Sequence, residues 1–262
     1  MITSAQNKQL KLVRALLNKH QERLHQKKFV IEGVRLVEEA FAAGIQPEMV
    51  LYSKALSERG MRLLDKTRSS GIQADEVAPD LLKSLADTET PQGILAVLPI
   101  PEFQLPGDAD FIVLADQVRD PGNLGTLLRT CLAAGVQAVL LTPGTVDAYS
   151  PKVVRSSMGA HFRLPLITAA WDEINRWMGG LQHRPDFWIS DVREGIACWQ
   201  SDLRSPLILG IGGEAEGMSP AATALPHQKI HIPMPGWSES LNASIAAGIL
   251  IFEVIRQRSI PV

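Results

Sequence analysis

The sequence predicts an α/β protein of two domains with mainly parallel sheets. Strand and helix signals alternate along the whole chain, the pattern of layered α/β folds. The 262 residues exceed one ordinary domain, taking roughly 150 residues per domain as a prior. Residues 99–106 contain three prolines and run into Gly107-Asp108, so neither a helix nor a central strand continues through them. The expected domains are therefore residues 1–104 and 105–262.

In the first domain, apolar runs at 28–31, 49–52, 72–77 and 94–98 read as strands, with helices expected at 34–43, 57–67 and 80–86. Leu10, Val13, Leu16 and Leu17 recur at helical spacing ahead of them. In the second domain, strands are expected at 111–114, 138–141, 187–190, 207–211 and 230–232, and helices at 124–134, 151–158 and 172–178. A long helix closes the chain at 240–256, with Ser240 as its cap and Leu241, Ile245, Ile249, Phe252 and Ile255 as its apolar stripe.

A hydrophobic content of 45% with 21% charged residues describes a globular chain able to bury full cores. The first eight residues lack the apolar core of a signal peptide, and no apolar run reaches the ~18 residues that span a bilayer, so a cytoplasmic protein without membrane contact is expected. Cys131 and Cys198 are too few for a disulfide framework and read as small buried hydrophobes. His227 and His231 lie in an apparent strand at a spacing unsuited to one metal, and no metal is expected. The net charge of −2 conceals a local balance of +6 over residues 1–28. Such a segment supplies phosphate contacts on nucleic acid or forms an ordinary solvated helix face; charge alone leaves both open. All five tryptophans follow residue 170, which argues against a base-stacking platform in the N-terminal part.

Three segments carry chemistry. In the first, Asp116-Gln117-Val118-Arg119-Asp120-Pro121-Gly122-Asn123-Leu124-Gly125, a strand ends, a Pro-Gly turn follows and a helix begins near Asn123. Ligands of open α/β sheets bind beyond such strand ends. Gly125 and Arg129 share a helix face, leaving room for a ligand beside the guanidinium. The second, Gly210-Ile211-Gly212-Gly213-Glu214-Ala215-Glu216-Gly217, imitates a dinucleotide fingerprint, but its two carboxylates would repel a pyrophosphate. A cationic or polyhydroxyl ligand suits it better. The third runs from Ile230 through Ile232-Pro233-Met234-Pro235 to Ser240-Leu241-Asn242, a strand end that its prolines keep out of the middle of a sheet, opening onto free backbone groups and apolar side chains.

Together these segments resemble the three ordered motifs of the SpoU (TrmH) family of RNA ribose methyltransferases, within the SPOUT superfamily. Asn123, Gly125 and Arg129 match its Asn-x-Gly-x-x-x-Arg, the second segment its glycine-glutamate loop, and the third its Ile-Pro-Met…Ser-Leu-Asn-x-Ser stretch, covering about residues 109–257. One departure is Gly213, where many relatives carry Asn. The first domain is similar to the family's ribosomal-protein-L30-like (L30e-like) RNA-binding domain through Phe29-Val30-Ile31-Glu32-Gly33 and Pro91-Gln92-Gly93-Ile94.

The resemblance implies a C-terminal SPOUT domain with a trefoil knot, a rare feature that periodicity cannot reveal. It also implies a homodimer through that domain and S-adenosylmethionine as methyl donor. Carried over by position, Gly212, Ile232 and Leu241 would contact the donor, with Met234 and Asn242 in the same pocket. Arg129, with Asn123 and Glu214, would form the catalytic group, Glu214 orienting Arg129 or the substrate. Arg119, Lys152 and Arg155 flank the same strand ends and are expected to bind RNA phosphates. The expected reaction is methylation of a ribose 2′-hydroxyl, in 23S ribosomal RNA rather than tRNA. The rivals are a tRNA enzyme, an RNA-binding module without catalysis, and a nucleotide-dependent oxidoreductase that rests on the glycine pattern alone.

Overall fold

The computed structural model describes residues 1–86, 90–214 and 216–259. The chain forms two compact units, Met1–Pro101 with Tyr149–Phe162, and Glu102–Ala148 with Arg163–Val262.

The first unit runs α1 (Lys8–Asn18), α2 (His20–Gln26), β1 (Lys28–Glu32), α3 (Val34–Ala42), β2 (Met49–Tyr52), α4 (Glu58–Ser69), β3 (Gln73–Glu76), α5 (Pro79–Lys83) and β4 (Ile94–Pro99). Its sheet has the order β1-β4-β2-β3. Only β2 and β3 pair in parallel; β4 runs antiparallel to both β1 and β2. The expectation of mainly parallel sheets therefore fails in this unit. Apolar runs announce strands buried on both faces whatever their direction, because helices cover both sides. Phe29, Ile31, Val50 and Leu98 pack with α3 and α4 on one face. Val30, Leu51, Leu95 and Val97 pack on the other with Leu10, Val13 and Leu16 of α1. A further short helix, α7 (Pro151–Ser156), joins the first core through Val154.

The second unit comprises β5 (Phe111–Asp116), α6 (Pro121–Ala133), β6 (Ala138–Leu141), β7 (Leu166–Thr168), α8 (Trp171–Gly180), β8 (Asp186–Asp191), β9 (Ile196–Ala197), β10 (Leu207–Gly212), α9 (Pro220–Thr223), β11 (Gln228–His231) and α10 (Ala243–Arg258). Its seven strands are all parallel, in the order β7-β6-β5-β10-β8-β11-β9. Every residue of β5, β6 and β10 is buried, the signature of a parallel sheet covered on both sides. The sequence reading missed β7 and β9, three and two residues long, which are too short to show a period.

The strand order places the chemistry. From β5 the chain builds outward through β6 and β7, and β10, β8 and β11 lie on its other side. The order reverses between β5 and β10, where a crevice opens outside the carboxyl ends of the strands. In that pair Gly212 lies opposite Asp116, so the ends of the first two motif strands are neighbours.

The last helix corrects a second expectation. The stripe read as its packing face is largely exposed, with Ile245 54%, Ile249 39% and Phe252 50% accessible. Ala247, Leu250, Ile251 and Val254 are buried instead. A helix that is apolar all round gives no moment from which its buried face could be read.

Candidate active site

Each motif loop is built by a local device. After β5, Gln117 adopts a left-handed backbone (φ 56), which costs a non-glycine residue on the order of 1 kcal/mol. Asp120 then caps α6, its carboxylate accepting from the Asn123 N–H at 2.8 Å, with Pro121 at the first helical position. The helix therefore starts three residues before the expected point. Asn123 is not its cap, and its side-chain amide is free to act elsewhere.

After β10, Gly213 and Gly217 exchange backbone hydrogen bonds at 3.1 and 3.2 Å and close a tight turn carrying Glu214 and Glu216. A Cβ on Gly212 would lie 2.3 Å from the Gly217 carbonyl carbon, and one on Gly213 would lie 2.4 Å from the Gln117 carbonyl oxygen. The close approach of the β5 and β10 ends accounts for glycine at 213 in this chain. Because Gly210 and Gly212 lie within β10 and the next helix begins at Pro220, no dinucleotide fingerprint turn is present. Its third position, Ala215, is outside the described residues. After β11, Asn242 caps α10 by accepting from the Ser244 and Ile245 N–H groups at 2.9 and 3.3 Å. The cap is thus Asn242 and not Ser240.

One chain of hydrogen bonds ties the three loops together. Asn242 Nδ2 donates to Asn123 Oδ1 at 2.9 Å, and Asn123 Nδ2 donates to Glu214 Oε1 at 2.8 Å. The Arg119 and Asp120 N–H groups each donate to the Glu214 carboxylate at 3.2 Å. A carboxylate only accepts, so it fixes which end of the Asn123 amide faces it. Glu214 is thereby committed to Asn123 and to the loop after β5. Among the described residues Glu214 makes no hydrogen bond or ion pair with Arg129.

Burial pushes the Glu214 carboxyl up, but hydrogen bonds from Asn123, from its own backbone and from the Arg119 and Asp120 amides outweigh it and hold the group below its ordinary value. A depressed folded pKa contributes stability that is present above the unfolded value of about 4.3 and lost as pH falls through the folded one. Thermal melts of the wild type and Glu214→Gln should therefore differ most near neutral pH and converge as acid protonates the wild-type carboxylate. An equal gap at every pH would remove the charge from the account.

Beneath the loops lies a cavity of about 650 Å³, within the range of small-molecule sites. Gly212, Ile232, Met234, Leu241, Asn242 and Glu214 all line it. Lys229 is also in the wall, bound to Asp191 at 3.2 Å and to Glu194 at 2.5 Å. The remaining charged side chains of the wall are carboxylates, which favours a cationic ligand.

Arg129, Arg119, Lys152 and Arg155 are not among the residues that line this cavity. Arg129 is exposed on α6 and, among the described residues, has no ion pair or side-chain hydrogen bond. Arg119 is exposed, 3.4 Å from Glu216, a contact worth little in water. Lys152 and Arg155 sit on α7, whose segment clusters with the first unit, so the structure does not group them with Arg119 in one unit.

Sequence reasoning missed Asp116. It is wholly buried, accepts from Thr142 Oγ1 and from the Ser219 N–H at 2.6 Å each, and so holds the β6 end and the start of α9 to the end of β5. The available signal was a carboxylate closing the otherwise apolar run Phe111-Ile112-Val113-Leu114-Ala115.

Residues 110–252 match the SpoU rRNA Methylase family, and residues 7–96 match the MRM3-like substrate binding domain. The chain is 32% identical over 265 residues to the 23S rRNA (guanosine(2553)-2′-O)-methyltransferase RlmP of Bacillus subtilis (strain 168), covering 97% of this chain and 98% of that protein. It is 34% identical to the mitochondrial rRNA methyltransferase 3A of Danio rerio over 88% of its own length, but spans only 64% of that longer protein. The crystal structure of the SpoU methyltransferase AviRb from Streptomyces viridochromogenes in complex with AdoMet superposes with a TM-score of 0.89 at 31% identity, covering 97% of this chain and 98% of the other.

Proposed function

The chain belongs to the SpoU rRNA methylase family, and on that premise we propose that it transfers the methyl group of S-adenosylmethionine to a ribose 2′-hydroxyl of 23S ribosomal RNA. The observation that carries this reading is the bonded chain Asn242–Asn123–Glu214, which joins three loops around one cavity with an anionic rim. When bound, S-adenosylmethionine supplies an electrophilic methyl group on a sulfonium sulfur. The cavity fits such a donor: Glu214 and Glu216 face it without a free lysine or arginine in the wall, and glycine at 212 lets the Gly217 backbone pack against the end of β10 and so shape the turn that lines the cavity.

Gly212, Ile232, Met234, Leu241 and Asn242 would hold the donor. Asn123 and Glu214 are positioning residues that lock the loops against each other. Arg129 is the proposed catalytic residue, gripping a phosphate beside the target nucleotide and stabilising the developing 2′-alkoxide. A guanidinium holds its proton too tightly to serve as a base, so its role is binding and charge stabilisation. Holding the hydroxyl in line with the methyl group supplies much of the acceleration.

The first unit is proposed to bind RNA, with Arg119, Lys152 and Arg155 adding phosphate contacts. A trefoil knot in the C-terminal loops and a cytoplasmic location belong to the same proposal. No helix among the described residues is long and apolar enough to cross a membrane. The exposed Ile245, Ile249 and Phe252 on α10 support a homodimer through this helix. Ile249→Glu with Phe252→Glu should shift the sedimenting species to monomer; an unchanged dimer would reject that face.

The function is tested by incubating the protein with labelled S-adenosylmethionine and unmodified 23S ribosomal RNA or tRNA, then mapping 2′-O-methyl groups. Transfer to 23S RNA alone supports the proposal, and transfer to tRNA alone overturns the substrate. Donor binding without transfer to either RNA would mark a binding module.

A further inference from the structure

The first unit neutralises its cations unevenly. On α4 and around it, Arg59 pairs with Glu38, Arg62 with Glu58, and Lys54 with Glu76. Lys66 lies over the Phe41 ring, and Arg68 lies over Tyr52 and donates to its hydroxyl. On the opposite side, Lys28 pairs with Glu48. Lys8, Lys11 and Arg14 of α1 and Lys19 just beyond it have no ion pair or side-chain hydrogen bond among the described residues. The acid beside α1, Asp75, is taken by the amides of Gln9 and Gln73.

Helical geometry puts three of these cations on one stripe. Leu10, Val13 and Leu16 are pinned in the core, and at about 100° per residue Lys8, Lys11 and Arg14 lie on the other face, with Lys19 following in extended backbone at the helix C-cap. Lys8 to Arg14 span roughly 9 Å of helix axis at 1.5 Å per residue. Residues 1–28 carry +6 and the rest of the chain −8, so the stripe lies in a basic segment of an otherwise acidic chain. Residues 1–28 contain no Phe, Tyr or Trp, and Phe29, which follows, is a buried core residue, so stacking on such rings is not part of its equipment.

We propose that this stripe is a phosphate-binding surface for the RNA substrate, reading the backbone without sequence preference. The proposal rests on the RNA methyltransferase reading and adds a substrate-holding surface to the residues of the three motif loops. Phosphates would supply these cations with the charge pairing that Lys28, Lys54, Arg59 and Arg62 find within the unit.

The test is the salt dependence of binding to transcribed 23S ribosomal RNA, measured without a methyl donor. The variant carries Lys8→Gln, Lys11→Gln and Lys19→Gln, all at exposed positions, so the core is untouched. Each lost contact removes about 0.7 to 0.9 from the slope of log K against log salt, so the slope should become shallower by about 2 to 3. Affinity at low salt should fall at least about tenfold. A matched control, Lys54→Gln with Arg62→Gln and Arg204→Gln, removes the same net charge from ion-paired cations and should keep the parental slope. Lysine-to-arginine replacement at 8, 11 and 19 should also keep it.

An unchanged slope in the glutamine variant overturns the proposal, as does an equal loss in the control, which would reduce the effect to net charge. Loss of binding to vesicles containing anionic phospholipid with an unaltered RNA slope would assign the stripe to a membrane and overturn it as well. Failure of the parent protein to methylate any RNA would strike the functional reading and leave this measurement intact.

Discussion

Arg129→Ala is expected to lower the single-turnover rate of methyl transfer by about two to three orders of magnitude, the usual loss when a preorganised charge-stabilising donor is removed. The melting temperature and the affinity for S-adenosylmethionine should stay near parental values. The structure makes the experiment clean. Arg129 is exposed on α6, outside the cavity wall, and among the described residues has no partner that its loss would strand. Alanine also favours the helix. Lysine at 129 should recover only part of the rate, because it retains the charge but not the planar fork that grips a phosphate. Near-parental transfer by the alanine variant would remove Arg129 from the reaction.

Gly212→Ala should weaken S-adenosylmethionine binding by about a hundredfold or more while the sheet stays folded, at a cost typical of an overpacked site, about 1–3 kcal/mol. The new methyl group would meet backbone, 2.3 Å from the Gly217 carbonyl carbon and 2.6 Å from its oxygen. Backbone cannot swing aside as a flexible side chain can, and the Gly213–Gly217 hydrogen bonds hold it in place. The turn carrying Glu214 must open, moving the wall of the cavity and pulling at the bond to Asn123. The rest of β10, including Ile208 and Leu209, stays in the core. Calorimetric titration checks the affinity and a thermal melt checks the fold. Parental affinity would mean that the turn does not shape the cavity.

Much of this architecture was legible because local patterns carried it. The buried runs 111–116 and 207–212 are apolar enough to be strands without any partner, whereas the Pro121-Gly122 pair expected to make a turn opens α6 instead. What was misread depended on choices that local pattern leaves open. Asp120 and Asn123 are both good caps, as are Ser240 and Asn242, and only the path of the chain decides which oxygen reaches the free amides. In the first unit, β4 looks like any strand buried on two faces, and nothing local says that it runs antiparallel to its neighbours.

By itself, then, the amino-acid order determined two α/β units, the position of three loops at strand ends, and the residue types that those loops present. Apolar period, proline and glycine act over a few residues and survive without tertiary context. The tertiary structure alone decided that Asn242 reaches across 119 residues to Asn123, and Asn123 across 91 residues to Glu214. It also decided that Asp116 is buried as a brace and that the stripe expected to pack α10 faces outward. The bond from Asn123 to Glu214 follows from β5 and β10 becoming neighbours at the reversal of strand order. Strand adjacency is set by the packing of the whole sheet, which no short window of sequence contains.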